Sequence, residues 1–226
     1  MTNKHPRFTL PPGFDRADDY LEHLCAQALS EKCDPAWGHP KSLRSQKTLD
    51  RADAEMRDLQ EKGLVDTVLI IYDLVTWARQ RKSLKVTLRT PLHSFILFLL
   101  GVTTVNPADP ASPVKPGKHG KFRPLDRYTL EFSSNGRDLA RTYLANRYGR
   151  ACVGYCMAPW GVIPKDNPAC RRYGLHACAA VLGSLPPESL LYTREGAPVY
   201  MGWPEHARQN GLLVIDLMSA PGVSSP

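Results

Sequence analysis

No stretch of the chain reaches the ~18 to 20 consecutive apolar residues that a membrane-spanning helix needs. The opening residues, "MTNKHPRFTLPPGF", also lack the apolar core of a signal peptide. A cytoplasmic protein with no membrane partner is therefore expected. Cysteine pairs of the C-x2-C kind, which hold tetrahedral zinc, are missing too. Cys152 and Cys156 are followed at wide, unequal gaps by Cys170 and Cys178, so even with His176 close by no zinc is expected, and the six thiols should be reduced. Acidic residues are in short supply: 22 Asp and Glu face 29 Lys and Arg, a net charge of +7. A basic face gains by releasing the counterions condensed on phosphates, so the balance points to an anionic partner, nucleic acid first. No internal repeat is visible. What is present, 226 residues of which 42% are hydrophobic, suffices for a sizeable core.

Apolar spacing divides the chain into elements. Residues 1–16 are polar and rich in proline, and "ADDYLEHLCAQALS" places Tyr20, Leu21, Leu24 and Leu29 at helical spacing. Residues 1–47 thus form an extended lead-in and a helix ahead of a larger unit, 48–226, with which 17–47 is expected to pack. In "SQKTLDRADAEMRDLQEKG" Leu49, Ala52, Met56 and Leu59 share a face and Gly63 suits a C-cap. "LVDTVLIIYDLVTWARQRK" is apolar on most of its circumference and ends in cations, as the helix dipole prefers. The two form a helical hairpin around Gly63. "LKVTL" reads as a strand, and "RTPLHSFILFLLG" as a helix started by Pro91 and stopped by Gly101. A basic, proline-rich loop carries Lys115, Lys118, Lys121 and Arg123. Then come the strand "RYTLEF", the helix "NGRDLARTYLANRYG", a loop-like stretch "MAPWGVIPKDNPACRRYG", the strand "LHACAAVLG" and the closing strand "GLLVIDLMS". Helices first, then strands mixed with helices, give an α+β fold with a small mixed sheet.

The closing strand poses a problem of charge. Asp216 interrupts an apolar run, and an ionised carboxylate there needs a cation, a metal or hydrogen-bond donors, or else a proton. Among the other apolar strands only "RYTLEF" offers a comparable acid, Glu131, which shares a strand face with Thr129. If the two strands are neighbours, the carboxylates converge. They then share a divalent cation, or each pairs separately with an arginine.

The order of segments resembles the palm of the bacterial replicative DNA polymerase III alpha subunit, the C family of DNA polymerases. "LDRADAEMRDLQEKGLVDTVLIIYDLVTWARQRK" is similar to that family's helix pair, with a rough pattern LxxELxxIxxMGFxxYFLIVxDxVxWAR. "SFILFLLGVTTVNP" resembles SLVAYLLGITxVDP, "GLHACAAVL" resembles GxHAAGVVI, and "EGAPVYMGW…GLLVIDLM" resembles the strand that brings the family's third catalytic aspartate. The resemblance runs over nearly all of residues 8–218. It implies a sheet of the polymerase beta-like nucleotidyltransferase palm type, with the helical hairpin packed against it and DNA and nucleotide lying across it.

The departures matter as much. The family's glycine-rich nucleotide loop corresponds here to "KVTLRTPLHS", which has no glycine, leaving Arg89, Thr90 and Ser94 as nucleotide and phosphate contacts. Where the family alternates aspartates, this chain has Arg127, Thr129 and Glu131, so Glu131 and Asp216 are the only candidates for catalysis and for Mg2+, which they would hold weakly or not at all. Against the family's order of segments, the PHP, fingers and clamp-binding parts are expected to be lacking, and the thumb to be replaced by the short segment 150–173. The resemblance thus implies a degenerate palm, inactive or very weakly active, that binds single-stranded or primer-template DNA in replication or repair. Lys115, Lys118, Lys121, Arg123, Arg171, Arg172 and His176 are its candidate DNA contacts. Two alternatives stand beside it: a minimal DNA polymerase or nucleotidyltransferase using Mg2+ at Glu131 and Asp216, and a protein-interaction module of a replication or repair complex.

Overall fold

A computed structural model describes residues 6–32, 45–109, 112, 127–133, 136–149, 153–158, 174–183, 190–192, 198–200 and 204–219. The elements are α1 (Ala17–Lys32), α2 (Gln46–Glu61), α3 (Val65–Arg79), β1 (Val86–Thr90), α4 (Phe95–Leu99), β2 (Tyr128–Phe132), α5 (Gly136–Tyr148), β3 (Val153–Ala158), β4 (Gly174–Leu182), β5 (Leu190–Tyr192), β6 (Pro198–Tyr200), α6 (Pro204–Gln209) and β7 (Leu213–Ser219). This is a mixed α+β fold, as composition and periodicity lead one to expect. The described residues fall into two compact units, one within Arg7–Thr76 and Thr90–Leu125, the other within Met1–Pro6, Trp77–Arg89 and Asp126–Pro226.

The first unit is helical. α2 and α3 form the expected hairpin: Gly63 takes a positive φ of 64°, and the Leu64 N–H returns to the Leu59 carbonyl at 2.9 Å, closing the Schellman turn that a side chain bearing Cβ would strain. α3 is buried nearly all round, with Val68, Leu69, Ile70, Ile71 and Leu74 fully enclosed, which explains an apolar pattern too broad for a surface helix. α4 differs from expectation. It starts at Phe95 rather than at Pro91, because the Ser94 hydroxyl accepts the Leu97 N–H at 3.0 Å and caps the helix there.

The second unit is the sheet, in the order β1-β2-β7-β4-β3-β6-β5. β2 runs parallel to β7, β4 runs antiparallel to β7 and to β3, and β6 is parallel to β3. The sheet is wider than expected, since β3, β5 and β6 join it, β3 taking Met157 and Ala158 from a stretch that reads as loop. One face of β2 is wholly apolar and buried: Tyr128, Leu130 and Phe132, in line with Ile215 and Leu217 of β7. α5 covers that side, placing Ala140 and Leu144 inward. On the other face Val214 and Val181 join Tyr200, Ala207 and Leu212 under α6, a helix not anticipated from periodicity. Thr129, Glu131, Asp216 and Met218 belong to this second face, and it is here that the acids lie.

Candidate functional site: two carboxylates and three arginines

The strand register settles where Asp216 and Glu131 stand. In the parallel pair β2·β7, Asp216 lies opposite Thr129 and Glu131 lies opposite Met218, so the two acids occupy one face of adjacent strands, two residues out of step. On its other flank Asp216 is in register with Ala179 of β4. The strands thus converge as the alternation in "RYTLEF" and "LLVIDLM" requires. What they converge on is cationic.

Arg89, on β1, clasps Glu131 in a fork: Nε donates to Oε2 at 2.7 Å and Nη2 to Oε1 at 2.8 Å. The geometry is the planar bidentate match between guanidinium and carboxylate. The guanidinium of Arg89 accordingly holds the Glu131 carboxyl below its ordinary range, outweighing the opposing effect of desolvation. Asp216 is served differently. Nε of Arg127 and Nη2 of Arg208 each stand 3.6 Å from the same oxygen, Oδ2. That separation is too long for a hydrogen bond, so the attraction is of charge alone. The two partners are unequally committed, for the Arg127 side chain is 64% exposed whereas that of Arg208 is 14%.

Arg208 is the functional residue that the sequence reading misses. It rides on α6, which begins at Pro204 and is closed by Gly211, whose φ of 76° lets the Leu212 N–H reach the Ala207 carbonyl at 3.0 Å. Proline at a first helical position and glycine just past the end are a recognisable pair of signals, and "PEHARQNG" carries both. Ala207 is fully buried against β7's Val214, and this packing aims the next residue at Asp216.

The donor set does not fit a two-metal centre. Such a centre needs several free carboxylate oxygens around both ions, whereas here both oxygens of Glu131 are taken by Arg89 and Asp216 stands between two guanidinium groups. Among the described residues no group of three or more His, Cys, Asp and Glu side chains is placed to hold a metal ion.

The expected phosphate contacts separate. Arg89 is engaged with Glu131, and Thr90 ends β1. Ser94 is fully buried; its hydroxyl donates to Glu55 Oε1 while its oxygen caps α4. Glu55 is a second residue that sequence reasoning passes over. Its other oxygen accepts the Phe95 N–H at 2.8 Å, and burial pushes its carboxyl up from the ordinary value of 4.5. The signal lay in α2, where Glu55 falls on the stripe of Ala52, Met56 and Leu59. Of the expected DNA contacts, Lys115, Lys118, Lys121, Arg123, Arg171 and Arg172 lie outside the described residues, and His176 is placed only by its backbone, opposite Cys156 in the β3·β4 pair. Among the described residues no helix is long and apolar enough to cross a membrane.

The sequence is similar to those of known proteins. Residues 19–187 match the family model of the bacterial DNA polymerase III alpha NTPase domain. The error-prone DNA polymerase of Pseudomonas aeruginosa is 26% identical over 147 residues, which is 65% of this chain and 14% of that protein. The error-prone DNA polymerase of Pseudomonas fluorescens is 26% identical over 141 residues, covering 62% of this chain and 13% of its own length. The chain therefore spans a small fraction of the relatives it matches, and it belongs to the bacterial DNA polymerase III alpha family, the C-family polymerases.

Proposed function

We propose that this chain is a C-family palm of the polymerase beta-like nucleotidyltransferase type that binds DNA, single-stranded or primer-template, in bacterial replication or repair, and that it performs little or no polymerase chemistry. The observation that carries the reading is the exchange of metals for arginines: Glu131 is satisfied by Arg89, and Asp216 by Arg127 and Arg208. A polymerase palm stabilises developing phosphoryl charge with divalent cations held by free carboxylates, and fixed guanidinium groups on those oxygens remove the ligands. The DNA partner follows from the family, from the relatives' description as DNA polymerases, and from the net charge of +7. Mg2+ on this reading is bound weakly or not at all, zinc has no role, and the setting is the cytoplasm.

The test is a primer-extension assay with Mg2+ or Mn2+ run beside fluorescence anisotropy on single-stranded and primer-template DNA at low salt. Binding without extension is the expected result. Extension that disappears in Asp216→Asn would establish instead a minimal polymerase using Mg2+ at Glu131 and Asp216. Absence of both binding and extension would leave a protein-interaction module of a replication or repair complex.

A further inference from the structure

Three guanidinium groups face two carboxylates on one sheet face. The Arg89 and Glu131 pair is self-contained, with two short charge-assisted hydrogen bonds. At Asp216 the count is uneven, since a single carboxylate oxygen serves two cations at 3.6 Å. Cations so close to one another repel, and only one is needed to neutralise the acid. Arg208 is the built-in one: it is largely shielded and rides on a helix anchored by the buried Ala207. Arg127 is the surplus one. It sits just ahead of β2, most of its side chain is in water, and no hydrogen bond ties it to Asp216. A solvated arginine held by charge alone exchanges one anionic partner for another at little cost.

We propose that Arg127 is a movable counter-ion, paired with Asp216 in the free protein and transferred to a backbone phosphate when DNA binds, with Arg208 left to neutralise the acid. This rests on the DNA-binding reading above and gives it a specific contact. Asp216 then acts as a competitor for the phosphate: it holds Arg127 in a defined place and sets how much negative charge the strand must present to draw it off. The guanidinium fork suits a phosphodiester, offering two parallel N–H donors to its non-bridging oxygens.

The experiment is a double-mutant cycle on the full chain with a short oligothymidylate, read as affinity against salt concentration. Asp216→Asn should raise affinity by about three- to ten-fold by releasing Arg127, and Arg127→Ala should lower it and reduce the slope of log affinity against log salt by about 0.7, one phosphate contact on a single strand. In the Arg127→Ala background the gain from Asp216→Asn should largely vanish, the signature of coupled residues. An equal gain in both backgrounds means that Asp216 merely repels DNA, and it overturns the proposal. Because Asp216→Asn also unsettles Arg208, a measurement on the unmutated protein runs in parallel. On adding the oligonucleotide the Nε–Hε resonance of Arg127 should move more than that of Arg208, which shares Asp216 Oδ2 with it and stays there; an unmoved Arg127 resonance also overturns the proposal. A chain that binds no DNA at low salt defeats the functional reading itself, an outcome distinct from DNA binding without coupling.

Discussion

Replacing Glu55 by alanine tests how the helical unit is held together. The side chain is 2% exposed, and its two oxygens accept the Ser94 hydroxyl and the Phe95 N–H. Each buried donor stripped of its acceptor costs about 1–3 kcal/mol. The Ser94 hydroxyl can reorient while its oxygen keeps the Leu97 N–H at 3.0 Å, so the lower part of the summed range applies, about 2–4 kcal/mol. Arg51 loses a favourable neighbour but keeps its bonds to the carbonyls of His93 at 2.9 Å and Pro107 at 3.0 Å, so its charge is not stranded. Glu55→Gln is the control. Its amide oxygen still accepts from Phe95 and its NH2 donates to Ser94, which limits the loss to about 1 kcal/mol.

The pH dependence has a definite sign. Burial raises the Glu55 carboxyl above its ordinary 4.5, so the folded state holds this proton more tightly than the unfolded chain does. The contribution is complete below the unfolded value and is lost as pH climbs through the raised folded value. Glu55→Gln lacks that titration, so its stability relative to the parent should improve as pH rises from 4.5. Urea denaturation followed by far-UV circular dichroism gives the global numbers, and amide exchange at Phe95 and Leu97 gives the local opening. An alanine variant within about 0.5 kcal/mol of the parent, or a glutamine variant as damaged as alanine, refutes the account of α4's anchor.

Other consequences are more local. Arg89→Ala should let the Glu131 carboxyl titrate upward toward 4.5, as seen by carboxyl-carbon NMR; its depressed value in the parent stabilises the fold above the unfolded pKa, and that contribution is lost as pH falls through the folded one. Gly136→Ala should destabilise by about 1–3 kcal/mol in denaturant titration, since a Cβ there meets the Phe132 Cβ at 2.9 Å and Leu84 Cδ2 at 3.2 Å. Cys25, buried and with its thiol pushed up to about 12, should resist iodoacetamide in the native state and react only on unfolding, as peptide mass mapping would show.

The elements with strong periodicity were legible from the chain alone. α1, α2, α3, β2 and α5 stand within three residues of their expected places because each carries its pattern within its own residues, whether a helical stripe or a strict alternation. That Glu131 and Asp216 share one sheet face was expected only if β2 and β7 are neighbours, which they are; that Asp216 needs a partner was legible, because an acid in an apolar strand has to find something. What it found was only partly legible. Arg127 is two residues from Thr129 and so on its face by simple alternation, whereas Arg208 arrives on a six-residue helix too short to show an apolar period. The start of α4 was misjudged for a related reason. Pro91 and Ser94 both suit a helix start, and the choice between them depends on Glu55, an acceptor that lies far away in the chain.

Asp216 carries one further lesson about inferring chemistry from a costly residue. A carboxylate in an apolar strand invites the conclusion that some function maintains it, and in a polymerase palm that function would be metal binding. The cost argument, however, runs in both directions. Arg208 is itself largely shielded, and an acid 3.6 Å away offsets part of the cost of shielding a guanidinium. Replacing Asp216 with leucine would take that anion away from both Arg127 and Arg208. The acid thus serves the arginines whether or not any metal is ever bound, and its presence alone says nothing in favour of catalysis. Glu131 differs in that its partner Arg89 is 56% exposed, so there the hydrogen bonds serve the acid more than the cation. On the proposed reading, a palm whose acids each have such a partner keeps its sheet geometry without carrying out phosphoryl transfer. On that reading, building a metal site at these strands would require removing cations as well as adding carboxylates.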